Sequence, residues 1–455
     1  MKPPIMAAAL LTALQVLLVI PGSAQAPPAA ARTEPDARPL PEPSTSAREL
    51  FARTRDGIVQ VRVLLASANE QSSLGSGFVV RDDPRAGAWV VTNYHVVADL
   101  AIDPIKYRIE LRGTNERRTH ASLVAIDVIH DLALLRIDPM VERDPWQTFP
   151  LRDEPLAQGA KVFALGNPLE LGFLISEGIY NGKVEAQLYE QMLFSGALNS
   201  GMSGGPAIDA AGRVVGVNVA TRRDGESLSF LVPVRFVRDM LARSASARPR
   251  REWRSEIARQ LLLHQEFVTR TLLDGADGSG RPANFTTQKL SGRVVPTLGG
   301  ALPRCWADTR RVDEPRFLRE RLRCDLKGGL FVNRRLTLGD AEIDHVFQRN
   351  ISLVTPQFLD IDSESPSHLG SLTTRFDQEV TRDECRADFV RVAERVYRVS
   401  MCVNAYRKFP GLYRYRVDAL QVDGVHQRLK SGLELDGFSF ENATRITQSF
   451  LERLR

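Results

Sequence analysis

From Ile58 onward, apolar residues come in short runs separated by turn residues. Ile58 to Leu65, Gly77 to Val80, Trp89 to Thr92, Ile109 to Leu111, Ala121 to Ile126, Leu132 to Ile137, Lys161 to Leu165 and Val214 to Val219 are rich in Val, Ile and Leu. Branched side chains pack well on a pleated surface, so a succession of such runs with turns between them predicts a β-rich barrel or sandwich. The series closes near Phe230-Leu231-Val232-Pro233, and Arg235 to Ala242 reads as a helix.

The period then changes. Across Glu252 to Leu273, apolar residues fall at Trp253, Ile257, Leu261, Phe267, Val268 and Leu272, which predicts an amphipathic helix packed on a neighbouring domain. Phe285 to Val425 reads mostly as short strands, with helices expected around Glu314 to Leu322 and Asp383 to Arg395. At the end of the chain, Phe440, Ala443, Ile446, Thr447, Phe450, Leu451 and Leu454 share one helical face.

The amino terminus departs from this pattern. An apolar run from Ile5 to Ile20 follows Lys2 and is broken by Pro21-Gly22 before Ala24-Gln25-Ala26, which predicts a secretory leader over 1–26 cleaved after Ala26. The competing reading, an uncleaved anchor, needs a longer span of about 20 residues. Residues 27–46 are Pro- and Ala-rich with almost no large apolar side chains and read as a tether, followed by a short helix over Ala47 to Arg53. Arg243 to Arg251 holds four arginines among Ser, Ala and Pro, an exposed linker or a site of proteolytic nicking. Asp274 to Pro282 is a glycine-rich loop.

With 455 residues, 43% hydrophobic and 25% charged, the composition is that of a globular protein of two or three domains. The net charge of +5 is thinly spread and no basic tract is interleaved with aromatics, so nucleic acid is not an expected partner. All four cysteines, Cys305, Cys324, Cys385 and Cys402, lie in the last third. In an exported chain they are expected to form two disulfides. Three pairings are possible and spacing does not choose among them; the local pairs Cys305 with Cys324 and Cys385 with Cys402 are the expectation. A metal site is the alternative, without a CxxC pair to support it.

Chemistry is concentrated at Asn199-Ser200-Gly201-Met202-Ser203-Gly204-Gly205-Pro206. Glycines on both sides let the backbone approach a substrate, and the N–H groups of Gly201 and Ser203 can converge on one point, as an oxyanion hole requires. A serine hydroxyl needs a base. His95 follows an apolar strand and titrates near neutrality, so it suits that role. Asp131 opens another apolar strand, where a half-buried carboxylate can hold a histidine tautomer. Each has a structural alternative: a turn, a satisfied core histidine, a cap. His130 is a rival base, expected to point away.

Taken together, His95, Asp131 and Ser203 on a β-rich background, with Gly75-Ser76-Gly77-Phe78-Val79-Val80 before the histidine, resemble the trypsin-like serine proteases, and most closely their HtrA-type bacterial branch. The resemblance covers Ile58 to Met240 and also rests on Leu165-Gly166-Asn167-Pro168 and Gly212 to Asn218. It implies a chymotrypsin-like double β-barrel; with the amphipathic helix and the β-rich, disulfide-bonded C-terminal domain read from the pattern above, the expected fold is mainly β. It implies His95 as base, Asp131 as its orienter, Ser203 as nucleophile, and Gly201 with Ser203 as oxyanion hole. The expected domains are a protease domain over 47–243, a linker over 244–251, a helix over 252–275 and a regulatory or binding domain over 276–455.

The chain departs from the family in carrying Ser200 and Met202 where Asn-Pro-Gly-Asn-Ser is usual, and in showing no PDZ pattern after Arg251. Cleavage after Lys or Arg would call for an Asp at the position of Ala197; instead Ala197 with Val217, Asn218, Val219 and Ala220 is expected to line a pocket for small or medium aliphatic side chains. The expected function is an exported, periplasmic serine endopeptidase acting on unfolded or exposed polypeptides without metal or organic cofactor. A protein partner or self-association through the C-terminal domain is also expected. The alternatives are a latent or non-proteolytic adaptor or holdase on the same scaffold, and an esterase, for which no G-x-S-x-G elbow in an α/β setting is present.

Overall fold

The computed structural model describes residues 45–454 apart from 115–116, 140–143, 168–171, 220–228, 245–251, 274–284, 301, 314–315, 327, 361–377 and 393. The expected leader, nearly all of the tether and of the arginine-rich linker, and the glycine-rich loop lie outside the described residues.

Helix α1 (Thr45–Thr54) leads into β1 (Ile58–Leu65), β2 (Glu70–Asp83), β3 (Gly87–Thr92), β4 (Tyr107–Arg112), β5 (Arg118–Asp127) and β6 (Leu132–Ile137), with α2 (Tyr94–Ile102) between β3 and β4. These strands close as a barrel in the order β1-β2-β3-β6-β5-β4. A second closed barrel, β10-β11-β12-β9-β8-β7, is made by β7 (Lys161–Gly166), β8 (Leu174–Lys183), β9 (Met192–Phe194), β10 (Pro206–Ile208), β11 (Val214–Val219) and β12 (Ser229–Pro233). Two barrels are what the resemblance implied.

The alternation of side chains along a strand decides which core each residue serves. In the first barrel Val59, Val61, Val63, Val79, Val90 and Leu135 fill the interior. Their neighbours Ile58, Phe78, Val91 and Leu134 face the other way and meet Phe163, Leu165, Ile208 and Val217 of the second barrel. One-residue steps along β1, β2, β3 and β6 thus build both a barrel core and the seam between barrels.

Helix α3 (Val234–Ser244) packs back on the barrels, and α4 (Arg254–Leu273) follows. Beyond them come the hairpin β13 (Phe285–Leu290) with β14 (Arg293–Leu298), then β15 (Arg304–Asp313), β16 (Arg316–Asp325), β17 (Leu330–Asn333), β18 (Leu336–Leu338), β19 (Asp340–Asn350), the short α5 (Thr355–Asp360), β20 (Glu384–Val392), β21 (Arg395–Ala405), β22 (Tyr413–Gln421), β23 (Gln427–Phe438) and α6 (Phe440–Leu451). Seven of these strands form one antiparallel sheet, β15-β16-β19-β23-β22-β21-β20. Ser439 caps α6, its hydroxyl accepting the Asn442 N–H. Ala443, Ile446 and Phe450 then pack with Ile343, Tyr415 and Leu433 of the sheet.

Two expected helices are strands. Residues 314–322 belong largely to β16, paired on both sides by β15 and β19, and residues 383–395 to β20, paired with β21. Both are rich in Arg and Glu, which favour helix locally. Cross-strand partners override that preference: Arg321 bonds Asp344 at 2.6 Å and Arg323 bonds Glu342 at 2.7 Å. Each edge hairpin is also stapled across its strands, Cys305 to Cys324 and Cys385 to Cys402, so the local pairing is the one formed. With all four cysteines consumed, the metal alternative for them falls.

The C-terminal region shares a core with the first barrel. From α4, Ile257 and Leu261, with Trp253 just ahead of it, enter the first-barrel core, while Val268 and Leu272 enter the core of the large sheet. The hairpin β17–β18 adds Leu330, Val332, Leu336 and Leu338 to the first-barrel core. Polar groups buried along α4 bridge the same parts. Gln260 accepts the Val128 N–H at 2.7 Å and donates to the Ile126 carbonyl at 3.0 Å. Burial pulls the His264 pKa down to about 4, and the neutral ring lies 2.8 Å from the Tyr189 hydroxyl and 3.3 Å from the Gly339 carbonyl.

Candidate active site

His95 lies in the first turn of α2, directly after β3. Asp131 stands in the turn before β6, with the left-handed φ of 55° that aspartate tolerates better than most residues. Its carboxylate is used twice: one oxygen accepts the His95 backbone N–H at 2.9 Å and the other lies 2.7 Å from His95 Nδ1. The first bond supplies a capping acceptor to α2, whose N-cap Asn93 makes no capping bond with its own side chain. Asn93 instead donates to the Asp131 carbonyl at 2.8 Å. Strand end, helix start and turn are thereby locked together, with Nδ1 turned to the carboxylate.

Burial disfavours the His95 imidazolium, but the charge and hydrogen bond of Asp131 outweigh it and the net pKa lies above the ordinary value. The ring keeps 26% of its side-chain surface exposed, enough for a reactant to reach it.

Ser203 occupies a tight loop before β10. Gly201 at φ 95° and Gly204 at φ 85° give the chain left-handed turns on either side of it. A Cβ at Gly204 would lie 2.3 Å from the Thr92 hydroxyl and 2.9 Å from the Asn93 nitrogen, so only glycine lets the Ser203 loop lie against the residues that lead into His95. The loop is sewn to both barrels. Ser76 donates its backbone N–H to the Ser203 carbonyl at 2.7 Å and its hydroxyl to the Gly201 carbonyl at 2.7 Å. The Ser76 hydroxyl in turn accepts the Asn167 N–H at 2.9 Å. Met202, fully buried, anchors the loop in the second-barrel core with Val162 and Phe194. Asn218 donates to the Leu165 carbonyl at 2.9 Å, and its backbone pairs with Gly204 and Gly205.

The residues expected to line a pocket separate. Ala197 is exposed just after β9, and Val219 is half-buried at the end of β11. Val217 faces the inter-barrel seam, and Asn218 donates its amide to the Leu165 and Met202 carbonyls. Ala220 lies outside the described residues. His130 is elsewhere: its Nδ1 lies 3.0 Å from Asp127 and its ring stacks on Phe236 at 3.7 Å.

Two neighbours of the site carry no sequence signal of their role. Ser76 is recognisable only as part of a Gly-Ser-Gly stretch. Phe331, on β17, lies edge-on to His95 with ring centroids 6.0 Å apart.

The structure thus sets a carboxylate-held imidazole on the first barrel and a glycine-flanked serine on the second. Residues 75–217 match the trypsin-like peptidase domain family. The mitochondrial serine protease HTRA2 of Bos taurus is 31% identical over 248 residues, 50% of this chain and 50% of that one. A probable periplasmic DegP-like serine endoprotease of Pseudomonas putida strain F1 is 36% identical over 173 residues, 36% of this chain and 33% of the relative. Among solved structures, that of Deg5 aligns at 28% identity over 44% of this chain and 94% of its own, with a TM-score of 0.37. Residues 75–217 thus match a trypsin-like peptidase domain and the chain is similar to HtrA- and DegP-type proteases, spanning between about a quarter and a half of the length of the curated relatives it matches. The region that follows is not identified by these matches.

Proposed function

We propose that the chain is an exported serine endopeptidase that cleaves unfolded or exposed protein segments. The observation that carries this reading is the doubly bonded His95–Asp131 pair beside a loop that tolerates only glycine at 204. In the proposed reaction the Ser203 hydroxyl attacks the peptide carbonyl and His95 Nε2 takes its proton, while Asp131 stabilises the imidazolium. The Gly201 and Ser203 N–H groups receive the oxyanion. His95 returns the proton to the leaving amine, and water then releases the acyl group by the same steps in reverse. With Ala197 where a basic side chain would need a carboxylate, cleavage after Lys or Arg is disfavoured. Periplasmic location is supported by the names of the DegP-like relatives and by the leader expected over 1–26.

The test is casein degradation and fluorophosphonate labelling of the full chain and of Ser203→Ala. Cutting and labelling by the wild type, both lost by at least about a thousandfold in the variant, are expected. A folded wild type that neither cuts nor labels would sink the reading and favour a binding protein on a protease scaffold.

A further inference from the structure

The hairpin β17–β18 reaches the first barrel from far along the chain. Leu330 and Val332 on one face, with Leu336 and Leu338 on the return strand, enter the barrel core. The Tyr94 hydroxyl, fully buried and one residue before His95, donates to the Val332 carbonyl at 3.0 Å. The Arg334 guanidinium donates to the Ser72 carbonyl on β2. These contacts fix the hairpin against α2, and Phe331 adds a partly buried contact to the same core. Strand alternation turns Phe331 away from the faces of Leu330 and Val332, leaves it half-buried, and sets its ring at 79° to the His95 imidazole. One side of the Phe331 ring packs against the first-barrel core, and the ring stands 6.0 Å from the His95 ring, centroid to centroid.

We propose that Phe331 is a specificity-determining residue: an apolar wall of the substrate cleft, supplied by the C-terminal region, that limits the size of a substrate side chain next to the scissile bond. The argument rests on the reading of His95 and Ser203 as base and nucleophile. A ring edge-on to the base occupies the volume that one flanking side chain of the polypeptide would otherwise take. It should therefore admit small or flat apolar residues and reject bulky or charged ones at that one subsite. Removing the ring opens the subsite without touching His95, Asp131 or Ser203.

The experiment profiles cleavage of a fluorogenic peptide library, varied at each position flanking the scissile bond, by the full-length wild type, Phe331→Ala and Phe331→Leu. Fluorophosphonate labelling and thermal melting are run on each. The expected result is labelling of all three proteins and a change of about tenfold or more in relative preference, toward bulkier side chains, at a single position in Phe331→Ala. The change should appear mainly in KM, with Phe331→Leu intermediate. General loosening of the fold would depress all positions alike, so a single-position change separates a cleft wall from a merely structural ring. Unchanged profiles in Phe331→Ala that still labels, or a uniform loss at every position that Phe331→Leu shares, would overturn the proposal. A wild type that neither labels nor cuts would overturn the protease reading and this inference with it.

Discussion

The shared core makes a strong prediction about dissection. Ending the chain at residue 251 removes Trp253, Ile257, Leu261, Leu330, Val332, Leu336 and Leu338 from the first-barrel core. Each is under a tenth exposed. At about 1.5–3 kcal/mol for each buried apolar side chain, the fragment forfeits on the order of 10–20 kcal/mol. That equals or exceeds the whole stability of a typical domain, about 5–15 kcal/mol. The apolar face of α2, including Val96, Val97 and Ile102, would lose its cover as well. The fragment over residues 27–251 should therefore be insoluble or molten. Near-UV circular dichroism, melting and fluorophosphonate labelling, run beside the full chain, measure this. A soluble fragment that melts cooperatively and labels at the rate of the full chain would refute the claim that the two regions share one core.

Other perturbations are sharper. Asp131→Asn removes both the charge that raises the His95 pKa and the acceptor that holds Nδ1–H; kcat should fall by about four orders of magnitude. In the wild type, activity should rise with pH through a midpoint above the usual histidine value of about 6.5, because the base must be neutral. An acid limb centred below 6 would contradict the sign. Burial pushes Asp340 up to about 6, so its neutral form is favoured in the folded chain: this contribution is fully present below pH 3.8 and is lost as pH rises through 6. Asp340→Asn should raise stability at pH 7.5 by a few kcal/mol at most, with the gain vanishing near pH 4; denaturant titrations at both pH values read it. Tyr94→Phe leaves the Val332 carbonyl without its buried donor. It should cost about 1–3 kcal/mol and speed amide exchange in residues 330–338 ahead of global unfolding; unchanged exchange there would argue against the anchor.

Much of the fold was legible because it is written in local pattern. Ile58–Leu65, Leu132–Ile137 and Val214–Val219 are strands over the runs that Val, Ile and Leu mark, and α3 follows the Pro233 boundary. His95, Asp131 and Ser203 are legible as candidates through the backbone around them: a strand end, a turn, a pair of glycines. The edge hairpins were less legible. In β15 and β20 nearly every residue is exposed, so no buried face imposes alternation, and the Arg- and Glu-rich β20 and the β16 partner of β15 read as helix. Least legible was the path of β17–β18. Nothing in Leu330 to Leu338 distinguishes a hairpin bound for its own sheet from one bound for α2. The hydrogen bond that settles it joins residues 238 apart.

That long-range contact constrains how the C-terminal region can act on the site. A binding module on a flexible linker can swing away from its neighbour at little cost. The β17–β18 hairpin cannot, because lifting it exposes four side chains that are at most 6% accessible, on the order of 6–12 kcal/mol at the same rate per residue. Coupling between a ligand site and an active site is typically about 1–3 kcal/mol, too small to drive such a separation. An event at the large sheet can therefore influence His95 only with the hairpin still seated. The part left to respond is the half-buried Phe331 ring. Regulation through this region, if ligands exert it, should accordingly change which substrates fit beside His95 before it changes whether Asp131 still holds the imidazole.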